Sequence, residues 1–343
     1  MFQETIKESL SFDDVLLRPQ YSEISSRSEV KILQELEGCG RFSLPIISSP
    51  MDTITEASMA IAMSDHGGLG IIHRYNTIEK QVDMAMCVMQ CQCTTAAAIG
   101  VSDDFVDRAT ALYDAGVRLL CIDVAHGHHS KVRYAIEVLR KTFGSSVHIM
   151  AGNVATLEAF NDLADWGADS IRVGIGGGSI CSTRIQTGHG VPTFQSILEC
   201  SNSNRDVALI ADGGIRTSGD IVKAYAAGAD FVMLGSLLSG TIESPGESFL
   251  GEDGSKYKTY RGMASKEAQR SWRGRFASVE GVSHFVPLKG RVEEVLSELE
   301  IGIRSGLSYT GAKNIPQLQA KARFIRQTNS GQIESSTHIR GRQ

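Results

Sequence analysis

No stretch of the 343-residue sequence reaches the ~18 consecutive apolar residues of a transmembrane helix, so no membrane partner is expected. The opening residues, MFQETIKESLSFDD, lack the basic, apolar and cleavage regions of a secretory leader, which makes a cytoplasmic location the expectation. A basic excess is missing too. Thirty-four Lys and Arg face 39 Asp and Glu, a net charge of −5, and no nucleic-acid footprint is expected. Arg323, Arg326, Arg340 and Arg342 gather near the C-terminus and read as a solvated tail. Seven cysteines are an odd number, and a reducing compartment disfavours disulfides. Cys87, Cys91 and Cys93 lie close together but lack a second Cys/His pair at zinc-ligand spacing. Low-complexity segments are absent.

Glycine, by contrast, is plentiful at 35 residues, which suits a chain with many tight βα turns and close ligand approaches. From residue 44 short apolar runs alternate with helical patterns. The runs are Leu44–Met51, Leu69–Arg74, Ala96–Val101, Arg118–Val124, Val147–Val154, Ala168–Gly174, Val207–Gly214 and Phe231–Ser236. Each is nearly continuous in apolar residues, as parallel strands covered on both faces must be. Asp104–Ala115 and Leu157–Trp166 have apolar spacing near 3.6, and several helices exit through Gly-Ala-Asp or a similar turn, with Gly as a left-handed cap. Eight βα units predict an α/β fold, a (β/α)8 TIM barrel, in one catalytic domain. Residues 1–43 read as an N-terminal arm, 44–236 as the barrel, 237–290 as a long flap after strand eight, 291–327 as a helical C-terminal part and 328–343 as a flexible tail.

The active site of such a barrel lies at the C-terminal strand ends. The chemically interesting residues all fall there. Gly174, Gly176, Gly177 and Gly178 form a loop whose amides suit an anion, and Cys181 follows. Beside those amides and Arg184 the thiol suits a nucleophile; spacing alone leaves a buried structural cysteine equally open. IADGGIRTSGD at Ile210–Asp220 and LGS at Leu234–Ser236 are glycine-rich ends of strands seven and eight, the usual phosphate position. Asp212 suits a ribose hydroxyl or a turn cap. Asp123, in DVAHGHH, suits a polar ligand group better than the histidines suit a metal. His73 and Arg74 read either as a cofactor contact or as a satisfied polar pair.

In order and spacing, SFDDVLLRP, SSPMDT, AGNV, GIGGGSICSTR, ADGGIRTSGD, LGS, ESPGE, YRGM and YTGAKNI resemble the IMP dehydrogenase/GMP reductase family over nearly the whole chain. The regulatory CBS modules that the dehydrogenases usually carry after strand two have no room here. The resemblance implies that Cys181 attacks C2 of a purine nucleoside monophosphate to give a thioimidate. It implies that Ser179, Gly214, Gly235, Ser236 and Tyr260 hold the 5′-phosphate, that Asp212 binds ribose, and that Ser49 and Met51 line the nucleotide site. Met263 and Glu280 would contact the base, and Asp123, Asn153 and His73 the nicotinamide cofactor. The carbonyls of Gly176, Gly178 and Cys181 resemble the family's K+ loop, and relatives assemble as homotetramers.

Two reactions share that thioimidate. The reductase expels ammonia from GMP and takes hydride from NADPH to give IMP, using a Thr/Glu pair for the departing amine. The dehydrogenase passes hydride from IMP to NAD+ and hydrolyses the adduct to XMP, using an Arg-Tyr pair on a long flap. Thr183 and Glu280 fill the first pair, while the short flap from Met263 to Lys289 has no Arg-Tyr, Arg275-Phe276 being the nearest substitute. SSPMDTITE and GGLGIIHR look like a dehydrogenase. Flap chemistry outweighs them, so GMP reductase is the expected activity and IMP dehydrogenase the alternative. More distant readings are a non-catalytic nucleotide-binding barrel and a flavin oxidoreductase.

Overall fold

The computed structural model describes residues 6–102, 104–274 and 280–335. Eight parallel strands close into a barrel: Ile46–Ser48, Leu69–Ile72, Ala96–Ile99, Leu119–Asp123, His148–Val154, Ser170–Val173, Ala208–Asp212 and Phe231–Leu234. Each lies within one of the eight apolar runs, and the last pairs with the first through Val232↔Ile46 to Leu234↔Ser48. The two-residue period of a strand sorts the side chains into two cores. Ile47, Leu69, Ile71, Ala96, Ala98, Leu119, Cys121, Met150, Ile210, Phe231 and Met233 fill the barrel interior. Their neighbours Ile46, Ile72, Ala97, Leu120, Ile149, Ile171, Leu209 and Val232 pack outward in the larger core shared with the helices.

Helices Phe105–Asp114 and Leu157–Asp165 fall inside the stretches with apolar spacing near 3.6, and Gly116, Gly167 and Gly228 leave their helices with φ of +106°, +109° and +117°. The repeated Gly-Ala-Asp has a further use. Asp169 accepts the Ile149 amide at 2.7 Å and Asp230 the Leu209 amide at 2.8 Å, so each aspartate ties its strand to the neighbour's first residues.

The arm is more than a leader to the barrel. A hairpin, Gln34–Leu36 with Gly40–Phe42, plugs the N-terminal mouth, where Phe42 meets Phe231 edge-on at 5.7 Å between centroids. Val15–Leu17 pairs antiparallel with Phe324–Arg326 across the whole chain. Helix Val292–Tyr309 lies within the stretch read as a helical C-terminal part. Within the stretch read as a flexible tail, Asn329–Glu334 is helical and capped by the Thr328 hydroxyl, and Gln327 donates to the carbonyls of Asp13 and Asp14 just before it. The excursion after strand eight holds a three-stranded antiparallel sheet, Phe249–Leu250, Lys256–Arg261 and Ser283–Pro287, and a helix, Lys266–Arg273. Its strands carry many polar side chains, and an apolar-run reading passes over them. Helix Ile78–Gln90 runs into strand three at Ala96 through residues 91–95, leaving no inserted module. No helix among the described residues is long and apolar enough to cross a membrane.

Candidate active site

Strand six delivers the chain to the catalytic face through Gly174. Its φ is +146°, and a Cβ there would sit 1.9 Å from the Asp212 carbonyl oxygen, so glycine lets strands six and seven converge. The loop turns at Gly178, whose carbonyl accepts the Cys181 amide at 3.1 Å. The far side of the loop is held by the returning arm of the excursion. Val282 donates its amide to Ile180 (3.1 Å), Ser182 donates to the Glu280 carbonyl (3.0 Å), and Cys181 bridges Gly281.

That stitching sets a three-residue chain. The Cys181 thiol donates to the Thr183 hydroxyl at 3.1 Å, and the Thr183 hydroxyl donates to Glu280 Oε2 at 2.9 Å. Cys181 is half-buried, at the edge of a cavity. Burial pushes the thiols of Cys39, Cys121 and Cys200 up to about 12, 11 and 12.

Two adjoining cavities meet at Cys181, Thr183, Met263 and Glu280. The smaller, 220 Å3, is lined by Ser49, Met51, Ser179, Asp212, Gly214, Gly235, Ser236 and Tyr260, among others. At its deep end Ser179 Oγ lies 3.4 Å from the Tyr260 hydroxyl, and a Cβ on Gly235 would come within 3.0 Å of that hydroxyl and 3.6 Å of Ser49 Oγ. Burial pushes the Tyr260 phenol up, so it offers a neutral O–H. The larger cavity, 530 Å3, adds Arg74, Tyr75, Asp123, Asn153, Gly176, Gly177, Gln269 and Trp272. Tyr75 and Trp272 meet edge-on at 5.3 Å, and the Arg74 guanidinium lies over the Tyr75 ring.

Between the cavities sits a residue that the apolar-strand reading missed. Arg172, 6% exposed, donates to Asp123 Oδ1 (2.9 Å) and to Asp212 Oδ2 (2.8 and 3.2 Å), and Asn153 Nδ2 donates to the same Asp212 oxygen at 2.8 Å. Burial alone would push the Asp123 carboxyl up; Arg172, Arg74 and the Tyr75 hydroxyl outweigh it and hold it below the usual range. An arginine inside an apolar strand, with two aspartates at neighbouring strand ends, was the available signal. Arg261 is a second latch, pairing with Asp52 and donating to Ser271 Oγ, which ties the excursion to the loop after strand one.

Of the residues expected to meet ligands, His73 stays outside both cavities. It is 2% exposed, pairs with Glu56 at 3.2 Å and accepts the Tyr75 amide, which is the satisfied polar pair. His128 pairs with Asp162, and His129 caps helix Ser130–Phe143. Arg275 lies outside the described residues.

Fold and site together define a class: a (β/α)8-barrel enzyme in which a half-buried thiol, Cys181, stands where two cavities meet. The family model described as IMP dehydrogenase / GMP reductase domain matches residues 9–338. An inosine-5′-monophosphate dehydrogenase from Nitrosopumilus maritimus is 32% identical over 97% of this chain and 98% of its own length. That alignment spans 470 positions, so this relative carries a segment absent here. A GMP reductase from Leishmania major is 31% identical, with 97% of each chain covered. A solved GMP reductase from Trypanosoma brucei, in complex with guanosine 5′-monophosphate, superposes with a TM-score of 0.92 at 31% identity, covering 98% of this chain and 99% of its own. The chain belongs to the IMP dehydrogenase/GMP reductase family and is an NAD(P)-dependent oxidoreductase.

Proposed function

We propose that the chain is a GMP reductase, converting GMP and NADPH to IMP, ammonia and NADP+. The observation that carries this reading is the unbroken Cys181–Thr183–Glu280 chain, open to both cavities. GMP would lie in the smaller cavity, its phosphate on Ser179, Gly214, Gly235, Ser236 and Tyr260, its ribose beside Asp212 and its base against Met263. The Cys181 sulfur attacks C2 and its proton passes through Thr183 to Glu280. Glu280 returns a proton to the 2-amino group, the C2–N bond breaks, and ammonia leaves a thioimidate. General acid help of this kind contributes ~10²–10⁴ in rate. Bound in the larger cavity, whose aromatic Tyr75–Trp272 wall suits a nicotinamide, the cofactor supplies the hydride for C2. The C2–S bond then breaks to give IMP, and the Cys181 thiolate takes up a proton from solvent to restore the thiol.

The second reading, IMP dehydrogenase, is favoured by SSPMDTITE at the first strand end. A paired assay decides. GMP with NADPH, and separately IMP with NAD+, are followed by nicotinamide absorbance; turnover of the second pair alone overturns the reductase. Cys181→Ala is expected to abolish turnover and keep nucleotide binding. We also propose a cytoplasmic homotetramer. A K+ would be held by the carbonyls of Gly176, Gly178 and Cys181, neutral oxygen donors of the kind that replace its water, and would stiffen the loop under the thiol.

A further inference from the structure

The turn that follows strand eight has two ends with opposite polarity. The Gly235 carbonyl accepts the amides of Leu238 and Ser239, both at 3.0 Å, so residues 235–239 form one helical turn. Its first residues, Gly235 and Ser236, line the smaller cavity beside the Tyr260 hydroxyl. Its carbonyls point the other way, as they must in a helical turn. There they meet Lys289, whose ammonium donates to the Ser236 carbonyl at 3.1 Å and the Leu237 carbonyl at 2.9 Å. The Lys289 amide also donates to the Gly240 carbonyl at 2.6 Å. Lys289 lines neither cavity. It is half-buried, and burial pulls its ammonium down from the usual lysine range, so the charge is kept there at the expense of hydration.

Lys289 reaches this position from strand Ser283–Pro287, which pairs with the strand of Tyr260 through Tyr260↔His284. One sheet therefore brings a hydroxyl to the amide side of the turn and a cation to its carbonyl side. We propose that Lys289 is a positioning residue for the phosphate subsite. By gripping the carbonyls of Ser236 and Leu237 it fixes the turn whose first residues, Gly235 and Ser236, face the anion, with its charge complementing the turn's dipole. The proposal deepens the reading of Gly235, Ser236 and Tyr260 as phosphate ligands and rests on it.

The test separates the phosphate from the rest of the ligand. Dissociation constants of GMP, guanosine, IMP and inosine are measured by calorimetry on the full chain and on Lys289→Met. The monophosphates are expected to weaken roughly tenfold or more, the scale of a lost charge-assisted contact, and the nucleosides less than about twofold. Lys289→Arg, which keeps the charge, is expected to recover most of the monophosphate affinity. A merely structural pin would weaken both ligand types alike; that result, or no change in either, overturns the proposal. Should Lys289→Met not fold, Lys289→Gln takes its place. Inorganic phosphate is the independent probe: it should raise the melting temperature of the wild-type protein and not that of the variant. If no purine compound binds wild-type protein while this difference persists, the purine reading falls and the role of Lys289 stands. If phosphate stabilises both proteins equally, the role of Lys289 falls.

Discussion

Arg172→Met is expected to be among the most damaging single substitutions in the wall of the larger cavity. Methionine fills much of the same volume, so the change isolates the charge. The guanidinium now donates three hydrogen bonds to Asp123 and Asp212, whose side chains are only 15% and 14% exposed. Removing one member of a buried ionic group strands the others, at a cost of about 3–5 kcal/mol. With an unfolding entropy of about 2.1 cal/mol/K per residue, 343 residues correspond to about 0.7 kcal/mol/K, so the melting temperature should fall by about 4–7 °C. The pH dependence is the diagnostic part. In the wild-type protein Arg172 helps hold the Asp123 carboxyl below its ordinary value, which stabilises the fold above that value and is lost as pH falls through the lowered one. Without Arg172, only Arg74 and the Tyr75 hydroxyl oppose burial, so the same carboxyl shifts up and this stabilisation shrinks. The deficit of the variant should therefore widen from pH 4 to pH 7 in calorimetric melts, and Asp123→Asn in the same background should recover part of it. A deficit under about 1 kcal/mol, or one flat in pH, would refute the argument that Arg172 is a charge clamp.

Glu280→Gln keeps the shape of the relay and removes its base; GMP turnover should drop by about 10²–10⁴ while GMP affinity changes less than about threefold, and an unchanged single-turnover rate would remove Glu280 from the relay. Asp230 is raised to about 6 by burial, so its contribution to stability is full below the unfolded value near 4 and lost as pH rises through 6. Asp230→Asn retains an acceptor for the Leu209 amide and should be more stable than wild type by about 1–2 kcal/mol at pH 7 and equal to it near pH 4, the full shift being discounted for residual solvent contact. Urea midpoints at the two pH values check this. Gly174→Ala combines about 1–3 kcal/mol of backbone strain with a Cβ overlapping the Asp212 carbonyl; thermal melts should show a large loss, and any folded fraction should bind nucleotide poorly, whereas a melt like wild type would mean that the strands separate freely.

The barrel was legible because its strands are buried on both faces and nothing polar interrupts their signal. The Cys181 loop was legible because its glycines cluster at a strand end. The excursion from residue 237 to 290 was not, since the buried positions of Lys256–Arg261 are Lys258 and Tyr260, and a buried lysine leaves no apolar run to detect. His73 was open to two readings from its place at a strand end, and tertiary structure adds that its ring nitrogens face the Glu56 carboxylate and the Tyr75 amide.

What the sequence determined by itself was the repeated βα unit and the glycine-rich strand-end loops, Cys181 among them, because each depends on residues near one another along the chain. Tertiary structure decided which of those residues meet. Thr183 and Glu280 lie 97 positions apart and Arg172 and Asp212 40 apart, and a hydrogen bond between such partners exists only once the barrel has closed. Lys289 and Ser236 are joined across 53 positions by the return of a strand that no periodicity announces. Local pattern encodes which surfaces are buried; charge pairing between distant strand ends is set by the register of the closed sheet, and that register is a property of all eight strands together.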